Sequence, residues 1–293
     1  MENLNGKNPE INYWGDVSDN YRNEIISPFH DPETERIFYS AVESIKKKNQ
    51  RDRVNRASNS KTAWVLDNGC GNGYFLNYLS LNQNGLPNRI KRVVGIDFSS
   101  AMIAKANINC LVRDGLRQNK SKSPAFTVTA DSAQLPFRSN FFEEIVAVNS
   151  ILSVERIDRF MMFSEMHRTL SREGFLLGLF PSNENHLEQA YRIKENYTNG
   201  GHDENAALKH VYEELEKRRF DPVGGSIDMK NGDLRIKLYS QFELEDILTT
   251  HGFRIISLER FYYPEPVIKH FGLTARKSSI YDWLVLAEKL AVH

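Results

Sequence analysis

The chain has 293 residues, 40% of them hydrophobic, and its 38 Lys+Arg balance 38 Asp+Glu to a formal net charge of zero. That is enough apolar material for one α/β core with an elaboration, and the lack of a basic excess argues against affinity built on phosphate neutralisation. Two cysteines, Cys70 and Cys110, exclude a disulfide framework and a cysteine-based zinc site, and no run of about 18 apolar residues offers a membrane span.

The opening MENLNGKNPE has no apolar stretch of the signal-peptide kind, so a reducing cytoplasm is the expected compartment. Residues 1–60 read as a polar lead-in dotted with Tyr13, Trp14 and Tyr21, followed by a helix. Asp31 is its expected N-cap, Pro32 its first residue, and Ile37, Phe38, Ala41, Val42 and Ile45 recur at helical spacing. The charged stretch 46–61, with Lys46, Lys47, Lys48, Arg51, Arg53, Arg56 and Lys61, reads as a solvated helix end or linker.

From Thr62 the texture changes to alternating strands and helices. Short apolar runs at 63–66, 92–96, 125–129, 144–148 and 175–180 predict strands. Helical patterns fall at 74–81, 101–112 and 157–170, the last with Ile157, Phe160, Phe163, Met166 and Leu170 on one side. Such alternation predicts a doubly wound, mostly parallel sheet covered on both faces, with its ligand crevice at the carboxyl ends of the strands.

Residues 184–235 interrupt this rhythm as a helical insertion. One amphipathic helix is expected through Leu187, Ala190, Tyr191 and Lys194, and another through Leu208, Val211, Tyr212 and Leu215, with Gly200-Gly201 between them. The core pattern then resumes. Ser240 and Glu243 form a candidate capping box for a helix carrying Leu244, Ile247 and Leu248. Gly252 ends it, and strands follow at 253–258 and 281–287.

The most informative segment is Val65-Leu66-Asp67-Asn68-Gly69-Cys70-Gly71-Asn72-Gly73-Tyr74-Phe75, a strand end, three alternate glycines and a helix start. Glycine serves where a loop needs positive φ or where a ligand comes against the backbone. The dinucleotide fingerprint would need a glycine at Tyr74, and the Lys-Ser/Thr of a P-loop is absent, so the spacing disfavours NAD and ATP. A second strand, Val93-Val94-Gly95-Ile96-Asp97, ends in an acid whose two oxygens match a vicinal diol, or which caps the next helix at Ser99 or Ser100. A third, Val128-Thr129-Ala130-Asp131, ends in an acid that suits an adenine amino group or a structural turn.

Taken together, VLDNGCGNGYF, VVGIDFSSAMIAKA, ADSAQLPFRSNFFEEIVAVNSILSV and EMHRTLSREGFLLGLF, in that order, resemble the class I methyltransferase family, in particular its small-molecule branch. The resemblance implies a seven-stranded sheet over a domain at 61–293, S-adenosylmethionine as cofactor and S-adenosylhomocysteine as product. It would place Asp67, Gly69, Cys70, Gly71 and Gly73 along the methionine portion and Asp97 on the ribose hydroxyls, with Phe98 against the adenine. Asp131 and Ser132 would meet the adenine amino group, and Asn149 would lie near the sulfonium and the acceptor. Tyr21, with the rest of the lead-in, would close over the cofactor. Asn68 departs from the family, which usually has an apolar residue there.

A methyl on a sulfonium is already activated, so transfer to a small or medium organic acceptor is mainly a matter of alignment. Where the acceptor keeps a proton, the candidates for a base are His186, Tyr191, His202, His210 and Tyr239. No metal is expected, since the adjacent His202-Asp203-Glu204 suit a turn better than a chelate. Asn149-Ser150-Ile151-Leu152 stand where enzymes methylating base amino groups carry an N-P-P-Y-type segment, and neither nucleic acid nor membrane is an expected partner. An RNA or protein methyltransferase and a non-catalytic adenosyl-ligand binding protein are the alternatives.

Overall fold

A computed structural model of the chain describes residues 9–19, 27–48, 62–81, 90–115, 125–229, 234–265 and 280–290. Two helices lead in, α1 (Pro9–Asp16) and α2 (Pro32–Lys48). The core then alternates as β1 (Thr62–Asn68), α3 (Tyr74–Leu81), β2 (Ile90–Asp97), α4 (Ser100–Gly115), β3 (Ala125–Thr129), β4 (Phe142–Val148), α5 (Arg156–Thr169) and β5 (Leu170–Pro181). Next come α6 (Asn183–Asn199), α7 (Glu204–Lys217) and a short hairpin of β6 (Ser226–Asp228) and β7 (Arg235–Lys237). The chain closes with α8 (Gln241–Thr250), β8 (Phe253–Tyr262) and β9 (Tyr281–Lys289).

Seven strands make one sheet in the order β3-β2-β1-β4-β5-β9-β8. The doubly wound, mostly parallel sheet expected from the sequence is present, and β9 is its reversed strand, antiparallel to both β5 and β8. That reversal matters for the site. The start of β9 lies level with the carboxyl end of β5, with Asp282 opposite Pro181. The turning point of strand order falls at β1 and β4, where a crevice opens between diverging connections.

Both faces are covered. On one, Phe38, Val42 and Ile45 of α2 pack with Phe75, Leu76, Leu79, Phe261 and Tyr263. Asp31 caps α2 as expected, accepting from the Glu33 and Thr34 N–H groups at 2.9 and 3.1 Å. Lys46, on the last turn of α2, pairs with the buried Glu144 of β4 and ties that helix to the sheet. On the other face, Phe163, Met166, Leu244, Leu248 and Tyr239 pack over Leu66, Ile145 and Leu176. Side chains of this size contribute roughly 1.5–3 kcal/mol each when fully buried. Among the described residues no helix is long and apolar enough to cross a membrane.

Three helix faces differ from the sequence expectation. On α5 the inward residues are Arg159, Phe163 and Met166, while Ile157 and Phe160 are 64% and 48% exposed. Phe160 instead packs on the His251 ring beside it. On α6 and α7 the spaced apolar residues Leu187, Tyr191, Leu208 and Tyr212 are exposed, and the first turn of α6 buries Asn183 and Asn185. Tertiary packing, which the spacing of one segment cannot report, selects the side that turns inward.

Candidate functional site

The glycine loop leaves β1 and is held at three points. The Cys70 N–H donates to the Ile96 carbonyl at 2.7 Å, and the Gly73 N–H to the Cys70 carbonyl at 2.9 Å. The Gly71 N–H donates to Asp97 Oδ2 at 2.9 Å, while the Ser99 N–H takes Asp97 Oδ1 at 2.9 Å. Asp97 thus braces the loop against the start of α4, and each oxygen keeps lone-pair capacity for a second donor. At Gly71, φ is +52° and a side chain would point into open space, whereas a Cβ at Gly69 would collide with Ser150. The first position exposes backbone to a ligand; the second lets β1 and β4 close up. Gly73 sits against Ala106 of α4, and Cys70 is buried with Ile103 and Ala106, its thiol pKa pushed up by burial.

Asp67, at the end of β1, is buried, and its Oδ2 has no hydrogen-bond partner. Burial, and then the charge of Asp97, push its pKa up to about 8; burial raises Asp97 to about 6 against the pull of the Ser99 and Gly71 N–H groups. Neither carboxylate has a cationic partner among the described residues. Beside them Asn68 accepts from the Ser132 hydroxyl at 2.7 Å while its buried Nδ2 is unpaired. Asn68, the departure from the family pattern, therefore holds the Ser132 loop. Phe98 is half-buried, and the exposed Asp131 caps its own turn by accepting from the Ala133 N–H at 2.8 Å.

Across the crevice Asn149 follows β4 in a left-handed conformation, φ +48°. Its Nδ2 donates to Asp282 Oδ2 at 3.3 Å, and its Oδ1 and the neighbouring Ser150 Oγ are buried without partners. Asp282 also accepts from the Tyr263 hydroxyl at 2.7 Å and from the Ser182 N–H at 3.3 Å. Burial raises its pKa to about 6 against those three hydrogen bonds. One carboxylate thus joins the ends of β4, β5 and β8. The sequence reading missed Asp282; an acid inside the apolar run Tyr281–Ala287 was the available signal.

The helix α1 lies against α4. Burial, then the charges of Asp158 and Asp131, raise the Glu10 pKa, and Tyr13 lies within electrostatic reach of Arg218. Gly15 approaches Ala101, and Asp19 pairs with Lys105. The helix thus lies against α4, with Glu10 in electrostatic reach of Asp131 and Asp158 and Tyr13 in reach of Arg218. Tyr13 and Trp14 meet edge to face on it at 5.2 Å, while Tyr21 lies outside the described residues.

The candidate bases are scattered. Tyr191 is 60% exposed on the outer side of α6. His202 is exposed and stacks on Tyr197 at 4.0 Å, as His210 does at 4.5 Å. That turn closes the far end of α6, about 25 Å from Ser182 at ~1.5 Å per residue. Tyr239 is fully buried, donates to the Ile151 carbonyl at 2.8 Å and has its pKa raised by burial, so it braces the chain after β4. His186 lies on the first turn of α6 beside Phe220, with its pKa lowered to about 4 by desolvation and then by Arg218. Among the described residues no cluster of His, Cys, Asp and Glu could hold a metal ion. A separate concavity of about 720 Å³ runs along α2 by Glu35, Tyr39, Glu43 and Tyr78, bordered by none of the glycine-loop residues.

Two desolvated carboxylates without counter-charge, open backbone at Gly71 and unpaired polar atoms on Asp67, Asn68, Asn149 and Ser150 fit a ligand that carries positive charge and many hydrogen-bonding groups. Comparison with known proteins points the same way. A family described as a methyltransferase domain matches residues 66–178. No curated protein matches the chain. Among solved structures it is similar to an S-adenosylmethionine-dependent methyltransferase of Methanosarcina mazei (20% identity, 80% of this chain and 95% of that one, TM-score 0.55). A protein of Pyrococcus horikoshii OT3 is similar at 17% identity, over 90% and 96% of the two chains, with TM-score 0.53. So is a chain of the complex between the Haloferax volcanii Trm112 methyltransferase activator and a methyltransferase, at 14% identity, 97% of both chains and TM-score 0.54. At these identities the structural likeness is one of fold.

Proposed function

We propose that this chain is a class I S-adenosylmethionine-dependent methyltransferase, a reading supported by the methyltransferase-domain match over residues 66–178, and that it transfers a methyl group to a small or medium-sized organic acceptor at the edge formed by β1, β4, β5 and α6. The observation that carries the reading is the uncompensated pair Asp67 and Asp97 beside the open backbone of Gly71, a cradle suited to the ammonium, sulfonium and ribose of the cofactor. When bound, the cofactor supplies a methyl already activated by its sulfonium.

The protein's share is binding and alignment. Asp67 and the glycine loop would receive the methionine end. Asp97 would take the ribose hydroxyls on its remaining lone pairs, Phe98 would lie against the adenine, and Asp131 and Ser132 would meet its amino group. Asn149, held by Asp282, would face the junction of the two substrates. Closed over the opening, α1 would exclude water and let the charges inside act at low dielectric. Holding both reactants in line reaches effective molarities of ~10⁵ M or more in good cases, so a base is needed only for an acceptor that keeps its proton.

Calorimetric titration with S-adenosylmethionine, S-adenosylhomocysteine and NAD tests the reading. Binding of the two adenosyl-sulfur ligands and not NAD is expected; NAD binding alone would overturn it. The zero net charge favours a small acceptor over RNA, and a steep loss of tRNA affinity with added salt would reverse that choice.

A further inference from the structure

The two edges of the sheet differ. At one, β8 is bulged between Ile255 and Ser257, carries Arg254, Glu259 and Arg260, and is tied to α2 through Lys48 and Glu259 at 3.2 Å. Bulges and edge charges guard an exposed strand against pairing with another chain. At the other edge β3 has neither. Its sequence, Ala125-Phe126-Thr127-Val128-Thr129, is uncharged and keeps an unbroken register with β2, its one strand partner among the described residues. Phe126 and Val128 share the sheet face of Val94 and Ile96, yet they are 47% and 38% exposed. Phe126 is the outer end of a row of rings that runs through Trp64 to Phe141.

The backbone of β3 sets the geometry a partner must have. The Ala130 N–H, one residue past the strand, donates inward to the Asp97 carbonyl at 3.0 Å. Backbone polar groups alternate sides along a strand, so those of Ala125, Thr127 and Thr129 point away from β2. An antiparallel copy of the same strand, centred on Thr127, meets these groups with its own at the same three positions. Thr127 then stands opposite Thr127 of the copy, Ala125 opposite Thr129, and Phe126 opposite Val128. The last pair falls at the non-hydrogen-bonded positions, where side chains approach most closely. An aromatic ring against a β-branched side chain is a favoured cross-strand pair, and it occurs here twice.

We propose that β3 is a homodimer interface, pairing antiparallel with β3 of a second copy across a two-fold axis at Thr127 to make one continuous sheet. A second copy fits because the strand's own sequence supplies both the backbone groups in phase and the complementary side chains. The contact is isologous and closes at two chains. Neither strand brings a charge, and the net charge of the chain is zero, so two copies approach without repulsion. On the opposite face the Thr127 hydroxyl donates to Asn107 Oδ1 of α4 at 2.7 Å. Beside Asn107, Ile108 is 54% exposed and extends the apolar edge beyond the strand.

The test follows the full chain by sedimentation velocity and by thermal midpoint, diluted from about 100 µM to about 1 µM, a range suited to a small interface. Dimer at the upper end, dissociation on dilution and a midpoint that rises with protein concentration are expected. Phe126→Lys and Val128→Glu, both at exposed positions, should each raise the dissociation constant by about tenfold or more. An equimolar mixture of these two variants should recover a mixed dimer, because the substituted positions face one another across the axis. Thr129→Pro, which removes an outward N–H and adds no charge, weakens the same contact through the backbone should either charged variant fail to fold. A wild type that is monomeric throughout, with a midpoint independent of concentration, would overturn the inference and leave the edge to a different partner. A dimer that survives the substitutions would overturn it by placing the contact elsewhere. Loss in both charged variants without recovery on mixing would overturn the two-fold register.

Discussion

Asp67 and Asp97 end neighbouring parallel strands as two buried carboxylates that repel one another and have no cationic partner among the described residues. Their folded pKa values, about 8 and about 6, lie above the ordinary 3.8. Between those limits the folded protein holds protons that the unfolded chain has released, so stability falls as pH rises from about 4 to about 8. The slope reaches on the order of 1.4 kcal/mol per pH unit for each group while it titrates. Urea melts of the ligand-free protein across that range should show the decline, and Asp67→Asn should flatten its upper part. A flat wild-type profile would mean that the pair is neutralised.

The same pair predicts how the two cofactor forms differ. S-adenosylmethionine carries a sulfonium charge that S-adenosylhomocysteine lacks, and the site gains negative charge as Asp97 and then Asp67 deprotonate. The affinity ratio of the two ligands should therefore shift toward S-adenosylmethionine as pH rises from about 6 to about 8. Titrations in two buffers of different ionisation enthalpy should also detect protons released on binding. A ratio independent of pH would remove both carboxylates from the electrostatics of binding.

Asp97→Ala removes the acceptor shared by the Gly71 and Ser99 N–H groups as well as the proposed partner of the ribose hydroxyls. Cofactor affinity should fall by roughly 1.5–3 kcal/mol, as for other hydrogen bonds to a charged group. Calorimetry measures it directly, and wild-type affinity in this variant would end the ribose assignment.

Much of this site was legible because its signals are local. A strand, three alternate glycines and a helix occupy consecutive residues, and Asp97 and Asp131 close apolar runs that really are β2 and β3. The parts that were not legible depend on distant segments. Asp282 matters because Asn149, Ser182 and Tyr263 converge on it from three other strand ends; the acid inside an apolar run marks the position but not its partners. The spacing of Leu187 and Tyr191 correctly signalled a helix. Which side turned inward was settled by the segment after α7, where the Pro222 carbonyl accepts from Asn183 Nδ2 at 2.9 Å and the Phe220 ring meets His186. Ile157 and Phe160 misled in the same way, since Arg159 takes the inward side of α5 to donate to the Ser153 and Val154 carbonyls at 2.9 and 2.7 Å.

Tyr263→Phe tests the junction at Asp282. The lost hydroxyl donates at 2.7 Å to a buried carboxylate and favours its charged form. Removal should cost about 1.5–3 kcal/mol where Asp282 is ionised and should raise its pKa further. The penalty should accordingly grow as pH rises through about 6 and shrink below it. Denaturant midpoints of both proteins across that range give the answer, and an equal penalty on both sides would assign the loss to packing of the Tyr263 ring.

The position of α1 predicts a kinetic role. The helix lies against α4, with Glu10 in electrostatic reach of Asp131 and Tyr13 of Arg218, while the aromatic layer of Phe38 and Phe75 lies elsewhere, on α2 and α3. Removing residues 1–19 should therefore leave the sheet folded, with a fall in thermal midpoint of no more than about 2 °C, the scale of ~1 kcal/mol in a chain of this size. Release of S-adenosylhomocysteine should accelerate by about tenfold or more, because opening no longer requires a helix to lift. Stopped-flow displacement by excess ligand separates the two effects. An unchanged release rate in a truncated protein that still binds would show that α1 rests on the site without gating it.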